Sequence, residues 1–278
     1  MTFLDQMDPL TGLLDDTESA QTGIDLRAKY TSAQPFPYIV IDDFLPDDIA
    51  QLCLEEFASI RLHGAESGDG FDRPQERAKR QFEPEQLSAP VRQMFHAFNS
   101  RPFIRVLENI TGIEGLIPDP DFLGGGLHEI STGGHLSVHA DFNYHKRLNL
   151  ERRINLLIYL NKDWRADYGG QLELWSKDMA QCEQSVVPTF NRAVMFNTTS
   201  TSNHGNPQPI SHPSGQSRKS IALYYYTATW DGSKRERTTQ FRPRPESSDA
   251  TDWSVKMREL MVDILPPLVA RTLRKLKK

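Results

Sequence analysis

The chain has 278 residues, 38% hydrophobic and 25% charged, so it can bury a full core and has the make-up of an ordinary globular protein. Its net charge of −5 argues against nucleic acid as a partner, because neutralising phosphates needs a basic surface. The only cysteines, Cys53 and Cys182, are far apart and in no metal-like spacing, which argues against a disulfide framework and fits a reducing, cytoplasmic setting.

Residues 1–34 are polar and irregular and read as a mobile N-terminal arm. Met1 to Asp16 carries Asp5, Asp8, Asp15 and Asp16 and lacks the basic and apolar regions of a secretory signal. Pro35-Phe36-Pro37 closes the arm, and Tyr38 to Ile41 reads as a strand. Pro46, Asp47 and Asp48 supply a helix start, with Ile49, Leu52, Cys53 and Phe57 at helical spacing behind it. Residues 61–90, charged and broken by Gly64, Gly68 and Gly70, read as a long loop that either covers an active site or forms plain surface. Pro90 to Ile110 reads as helix in two pieces around Pro102. From Gly124-Gly125-Gly126 to Trp230 short strands alternate with turns: Leu127–Ile130, Leu136–Asp141, Arg153–Leu160, Gln171–Trp175, Arg192–Asn197 and Arg218–Thr227. That spacing indicates a sandwich or barrel, in which the apolar run Arg153–Leu160 is buried on both sides.

Near the C-terminus, Leu265, Leu268, Val269, Thr272, Leu273 and Leu276 share one helical face, ringed by Arg271, Arg274, Lys275, Lys277 and Lys278. Such a helix docks on the domain or touches an anionic membrane surface or acidic partner, docking being the simpler reading. No apolar run approaches the roughly 20 residues that span a bilayer. The organisation is therefore an arm at 1–34, one domain at 35–230 (a supporting region at 35–125 and a β core at 126–230), and an extension at 231–278.

His139-x-Asp141 is the first candidate for chemistry. Chance alone gives about 0.6 such triplets in a chain with 8 His, so the triplet counts only in context. On a strand, positions two apart share a face, which points both side chains the same way. Two imidazoles and a carboxylate are the ligand set of a non-haem Fe(II) site, gripping one face of the metal and leaving the other open. His204, between the polar loop Thr198 to Asn203 and Gly205, is the candidate for the remaining ligand on a facing strand. His212 competes for that role. The same set could hold zinc with an open position, although no general base for hydrolysis is evident. Taken singly, each residue reads better as a surface or loop side chain than as a ligand.

Arg218 and Ser220 share a parity, with Lys219 turned away. A guanidinium grips a carboxylate through two parallel charge-assisted hydrogen bonds, and a nearby hydroxyl adds a third. The pair suits the far carboxylate of 2-oxoglutarate. Asn155, Leu157 and Tyr159 also share a parity, and a buried Tyr159 hydroxyl needs a partner, either that carboxylate or a backbone carbonyl.

In chain order, His139-x-Asp141, Arg153 to Leu160, Gly169-Gly170-x-Leu172-x-Leu174, His204-Gly205-x-Pro207 and Arg218-x-Ser220 to Tyr226 form a series. It resembles the Fe(II)/2-oxoglutarate-dependent oxygenases of the prolyl 4-hydroxylase-like group over residues 36–230. The segment Pro35 to Val40 is similar to bacterial members. The resemblance implies an α+β fold with a mainly β core, a double-stranded β-helix (jelly-roll or cupin-like) with flanking helices. It implies iron at His139, Asp141 and His204, and 2-oxoglutarate at Arg218 with help from Ser220 and Tyr159. It further implies dioxygen as co-substrate, ascorbate as reductant, and hydroxylation of an unactivated C–H bond with release of succinate and carbon dioxide. The substrate is peptidyl or a small molecule: a prolyl residue, or a free amino acid, sugar or biosynthetic intermediate. The remaining alternative is a silent β-barrel that binds a partner without catalysis. Two departures stand out. Many members anchor the co-substrate with Lys where this chain has Arg218, and many place a Tyr where His128 or Ile130 falls. The stretch from His204 to Arg218 is also long, which implies an inserted loop at 206–216.

Overall fold

The computed structural model describes residues 2–62, 69–231, 233, 234 and 236–249. The basic helix expected over 265–276 lies outside the described residues.

Strands β1 (Tyr38–Ile41), β2 (Asp69–Arg73), β3 (Glu76–Phe82), β4 (Ile117–Pro118), β5 (Gly126–Ala140), β6 (Tyr144–His145) and β7 (Leu150–Tyr159) are followed by β8 (Leu172–Trp175), β9 (Cys182–Val186), β10 (Arg192–Asn197), β11 (Asn203–Asn206), β12 (Arg218–Thr227) and β13 (Gln240–Phe241). Helices α1 (Asp16–Ser19), α2 (Arg27–Ser32), α3 (Asp47–Leu62), α4 (Ala89–Phe98) and α5 (Arg101–Thr111) precede most of the sheet. The expected break near Pro102 is real: α4 and α5 each begin with a proline in the first turn, where the missing N–H costs nothing.

All pairings are antiparallel and follow the order β1-β10-β7-β12-β5-β11-β8-β9, with β3 added to the free side of β5 and β2 to β3. β5 makes this a curled double sheet. Its first half pairs with β12 (Leu127 opposite Ile221), and its second half pairs with β11 (His139 opposite His204). One strand thus belongs to both walls of the double-stranded β-helix.

Alternation decides which side chains meet which layer. On β7, Ile154, Leu156 and Ile158 join Ile221, Leu223 and Tyr225 of β12 in a core with Phe95, Phe98, Phe103 and Leu107 of α4 and α5. The opposite face of β7 and β12 carries Asn155, Leu157, Arg218, Ser220 and Tyr224, which line a cavity between the walls. Tyr159, Leu172, Leu174, Val194 and Phe196 form a smaller apolar cluster beside it. The apolar run at Arg153–Leu160 is therefore covered on both sides, by helices and by the second wall.

Three expectations change. The segment 1–34 is not a mobile arm: Leu4, Met7, Leu14 and Tyr30 are buried in the helix-side core. The Phe3 amide donates to Asp43 O at 2.8 Å, and Tyr30 Oη donates to Asn197 Oδ1 at 2.6 Å. Its apolar residues are too sparse to show a period, yet they join the same core as the helices, and α2 packs against α5 and β1. Residues 61–90 hold the hairpin β2–β3 in place of a plain loop. The charged make-up of β3 hid it, because its inward residues Glu76 and Gln81 are polar. Among the described residues after 230, Gln240 and Phe241 also join the fold, since β13 pairs with β5 and sets Phe241 opposite His139.

Leu4, fully buried, distinguishes a packed segment from a loose one. Leu4→Ala should cost about 2–5 kcal/mol of unfolding free energy in a urea titration, whereas a mobile arm would leave the midpoint unchanged.

Candidate metal and co-substrate site

The antiparallel pairing of β11 with β5 places His204 across from His139. The approach is close at Gly205, where a Cβ would lie 2.8 Å from Leu136 O and 2.9 Å from Ser137 O. Only glycine lets β11 and β5 run this close beside the histidine. The imidazole centroids are 4.5 Å apart. Each ring is fixed by its own strand: His139 Nδ1–H donates to Ser137 O at 2.9 Å, and His204 Nδ1–H donates to Ser202 O at 2.9 Å. A carbonyl only accepts, so both Nδ1 atoms carry the proton and both Nε2 lone pairs are free. They converge on Asp141, with His139 Nε2 at 3.5 Å from Oδ1 and His204 Nε2 at 3.4 Å from Oδ2. The three ligand atoms lie within 4.8 Å of one another. Oriented nitrogen lone pairs and a carboxylate at this spacing fit a divalent metal, as the sequence proposed. His212 does not join them and packs against Trp164 and Tyr168.

Asp141 is charged although its side chain is only 11% exposed, and two residues make that possible. Asn155 Nδ2 donates to Asp141 Oδ2 at 2.7 Å, and Arg152 Nη2 lies 3.2 Å from the same oxygen. Asn155 Oδ1 in turn accepts from Arg152 Nε and Nη2 at 3.0 and 2.7 Å. The guanidinium packs over the rings of Phe142 and Tyr224 at 4.4 and 3.7 Å. Burial works to raise the Asp141 pKa, but Arg152, His204 and His139 outweigh it and hold the carboxyl well below its usual range. Sequence reading missed Arg152: of the paired arginines 152 and 153, only the register shows which one turns inward.

Arg218 and Ser220 both line the cavity that holds the triad. Arg218 Nε donates to Gly170 O at 2.8 Å, and Nη2 donates to Tyr159 Oη at 3.2 Å. Gly170, at φ +72, leaves that room, since a Cβ there would lie 3.0 Å from Arg218 Cδ. Tyr159 lies behind the guanidinium and steadies it. Burial lowers the Arg218 pKa, with the Tyr159 contact opposing. Where a tyrosine was expected on β5, His128 faces the cavity, in lateral register with Gln81 of β3 and Ser220 of β12. His128 Nε2 bonds Gly124 O at 3.0 Å, and burial, then Lys79, lowers its pKa well below normal. The cavity has a volume of about 190 Å³ and is walled toward solvent by Phe71, Arg73 and Lys79 of the hairpin and by Phe241. Neither Gln81 nor Lys79 stood out in sequence, because polar residues on an unrecognised strand give no apolar alternation.

Residues 125–226 match the 2OG-Fe(II) oxygenase superfamily. The chain is 24% identical over 223 residues to a prolyl 3,4-dihydroxylase OGFOD1 of Ostreococcus tauri, covering 74% of this chain and 40% of that protein. It is 27% identical over 214 residues to the prolyl 3-hydroxylase OGFOD1 of Mus musculus, covering 75% and 36%. It therefore spans well under half the length of these curated relatives. Among solved structures, a Pseudomonas putida prolyl-4-hydroxylase aligns with a TM-score of 0.51 at 18% identity, over 73% of this chain and 98% of that one. A prolyl hydroxylase of Trichoplax adhaerens, in complex with a hypoxia inducible factor oxygen degradation domain peptide fragment, aligns with a TM-score of 0.54 at 16% identity, over 76% and 91%. At these identities the structures speak for the fold alone, the double-stranded β-helix. The chain is thus similar over residues 125–226 to the 2OG-Fe(II) oxygenase superfamily, and the curated relatives it resembles are named as prolyl hydroxylases.

Two outcomes follow from the geometry. Asn155→Ala removes the bond that orients Asp141 and should weaken divalent-metal affinity about 10–100-fold, as loss of such partners does elsewhere; undiminished affinity in a Co(II) titration would refute the positioning role. The second concerns metal-free protein. Burial and then the His139 charge lower the His204 pKa from 6.5 to about 4, against the pull of Asp141. Between those values the unfolded chain binds a proton that the folded chain does not, so stability rises with pH across that window and is fully present above it. Chelator-treated protein should lose unfolding free energy as pH falls from 6.5 toward 4, and His204→Gln should flatten that slope.

Proposed function

We propose that this protein is an Fe(II)- and 2-oxoglutarate-dependent dioxygenase that hydroxylates an unactivated C–H bond of a prolyl substrate. The observation that carries the reading is the convergence of two Nε2 lone pairs on Asp141 in the same cavity as the buried cation Arg218. His139, Asp141 and His204 would hold the iron, Arg218 the far carboxylate of 2-oxoglutarate, and Ser220 a further hydrogen bond to it. Bound iron and co-substrate supply oxygen activation coupled to decarboxylation, with succinate and carbon dioxide as the by-products.

The chain's own residues bind, orient and enclose. The Ser137 and Ser202 carbonyls keep both imidazoles in the metal-binding tautomer. Arg152 and Asn155 keep Asp141 ionised and engage its Oδ2, which leaves Oδ1 the less encumbered oxygen. Tyr159 and Gly170 O aim the Arg218 fork, whose buried charge a carboxylate would neutralise. The β2–β3 hairpin and Phe241 limit water at the mouth.

Relatives whose names state prolyl hydroxylation support a prolyl residue in a peptide as substrate. The hairpin wall over a cavity of about 190 Å³ favours the second reading, a free amino acid or another small intermediate. We place the reaction in the cytoplasm, where both cysteines stay free thiols and ascorbate serves as reductant. No helix among the described residues is long and apolar enough to cross a membrane.

Protein supplied with Fe(II), ascorbate and 2-oxoglutarate should release succinate slowly without a prime substrate and faster with the right one. A panel of prolyl peptides and free amino acids separates the two readings. His139→Ala and Asp141→Ala should abolish turnover, and Arg218→Ala should raise the KM for 2-oxoglutarate by at least about 10-fold, as removal of a charge-assisted pair implies, while leaving metal binding intact. Undiminished succinate release in both triad variants would overturn the assignment. Failure of the wild-type protein to bind iron and 2-oxoglutarate would favour a silent β-barrel.

A further inference from the structure

A second group of metal-capable side chains lies outside the triad. Asp119, Asp121 and His145 each bring a ligand atom within 4.8 Å of the others. The two aspartates lie between β4 and β5, and His145 ends β6. The His145 and Asp119 side chains are only 3% and 2% exposed, and Asp121 reaches solvent at 27%.

Two observations point to a ligand. His145 Nε2 is buried without a hydrogen-bond partner among the described residues, although it faces two carboxylates. It lies 3.6 Å from Asp119 Oδ1 and 3.5 Å from Asp121 Oδ2. Hydrogen bonds of this type close to about 2.7–3.2 Å, so both gaps are too wide for one. They match the His–Asp separations of 3.5 and 3.4 Å in the triad. Ligand atoms held at about 2.0–2.2 Å from one ion lie about 3.0–3.4 Å from their neighbours, close to the spacing in both clusters.

The carboxylates are already aimed. Asp119 Oδ1 accepts from the Asp121 amide at 2.9 Å, and Oδ2 accepts from the Leu123 amide at 2.9 Å and from Tyr226 Oη at 3.2 Å. Arg147 engages Asp121 Oδ1 and leaves Oδ2 toward His145. Burial raises the Asp119 carboxyl above its usual value, in spite of His145 and these hydrogen bonds. A bound cation would relieve that penalty. The Leu148 amide donates to His145 Nδ1 over a long 3.3 Å, a contact that must yield when Nε2 turns to a metal. The rival arrangement is a His145 N–H shared between the two carboxylates, which needs no metal.

We infer that Asp119, Asp121 and His145 form a second divalent-metal site, independent of the triad, for a first-row ion such as Zn(II) or Mn(II). An imidazole beside two carboxylates disfavours calcium and magnesium, which prefer an all-oxygen shell. Solvent completes the coordination on the Asp121 side. The ion ties the turn before β5 to the end of β6. Its ligand His145 packs edge-on against Tyr226 with centroids 5.5 Å apart, two residues along β12 from the cavity-lining Tyr224. The role is structural: it braces one end of the cavity wall.

The test uses full-length protein carrying His139→Ala and His204→Ala, so that the triad cannot bind and its assignment does not enter. After chelation, equilibrium dialysis against Zn(II) or Mn(II) near neutral pH should load one ion per chain and raise the Tm. Adding Asp121→Asn, at the exposed edge where folding is least at risk, should lower the affinity at least 10-fold and remove the Tm increment, and His145→Gln should do the same. Absence of stoichiometric metal in the triad-disabled protein, or loading unaffected by either added substitution, overturns the site in favour of the metal-free histidine–carboxylate arrangement.

Discussion

The site depends on one backbone pairing, His204 of β11 opposite His139 of β5. β5 has to be long enough to leave the first wall, where it pairs with β12, and still run beside β11 in the second. The two strands can approach at that point because Gly205 has no side chain. Each imidazole then bonds a carbonyl of its own strand, which settles both tautomers through backbone geometry. No separate acidic partner is needed to orient either histidine, so the metal-binding arrangement comes with the fold itself.

Asp141 raises a different problem. It lies just past the end of β5 and must stay ionised in a buried place. A buried charge pair is weak evidence for stability, because desolvation offsets most of the attraction. The Arg152–Asn155–Asp141 network is better understood as holding a charge in one orientation. Arg152 is itself desolvated between Phe142 and Tyr224, where aromatic faces stand in for part of its lost hydration. Its cost is met by the carboxylate it steadies, and neither residue makes sense there alone.

What could be read from the chain follows the same division. β7 and β12 pair without a break from Ile154 to Tyr159 and from Ser220 to Tyr225, so the shared parity of Asn155 with Tyr159 and of Arg218 with Ser220 was legible in the chain, whereas the register shift beyond Tyr225 hid Arg152. The triad was legible because its members occur in order on strands with a usable period. β3 was not, since its buried Glu76 and Gln81 are polar and a bulge between Arg77 and Lys79 breaks the period that would link them. The packed segment 1–34 was misread for a related reason: Leu4, Met7, Leu14 and Tyr30 are too widely spaced to show a period, and only the helices they cover reveal why they are apolar. β13 is two residues long and gains its meaning from contact with His139.

Arg218, standing where the resemblance led one to expect a lysine, links these points. An ammonium would reach a carboxylate as a point charge, whereas the Arg218 guanidinium already uses Nε on Gly170 O and one terminal nitrogen on Tyr159. Part of its fork is thus spent on holding its own direction. Under the proposed reading, the co-substrate must find further donors nearby, and the structure sets Ser220 and Gln81 on either side of His128 in one lateral row across three strands beside it. His128 is kept neutral by burial and then by Lys79 and gives its ring N–H to Gly124 O, so it adds no second buried cation to the row. The replacement of the expected tyrosine by His128 and of the expected lysine by Arg218 are on this view a single change: a more directional anchor with a polar row beside it. Its two sides come from β12 and from the β5–β3 pairing, and the second of these was invisible until the hairpin was in place.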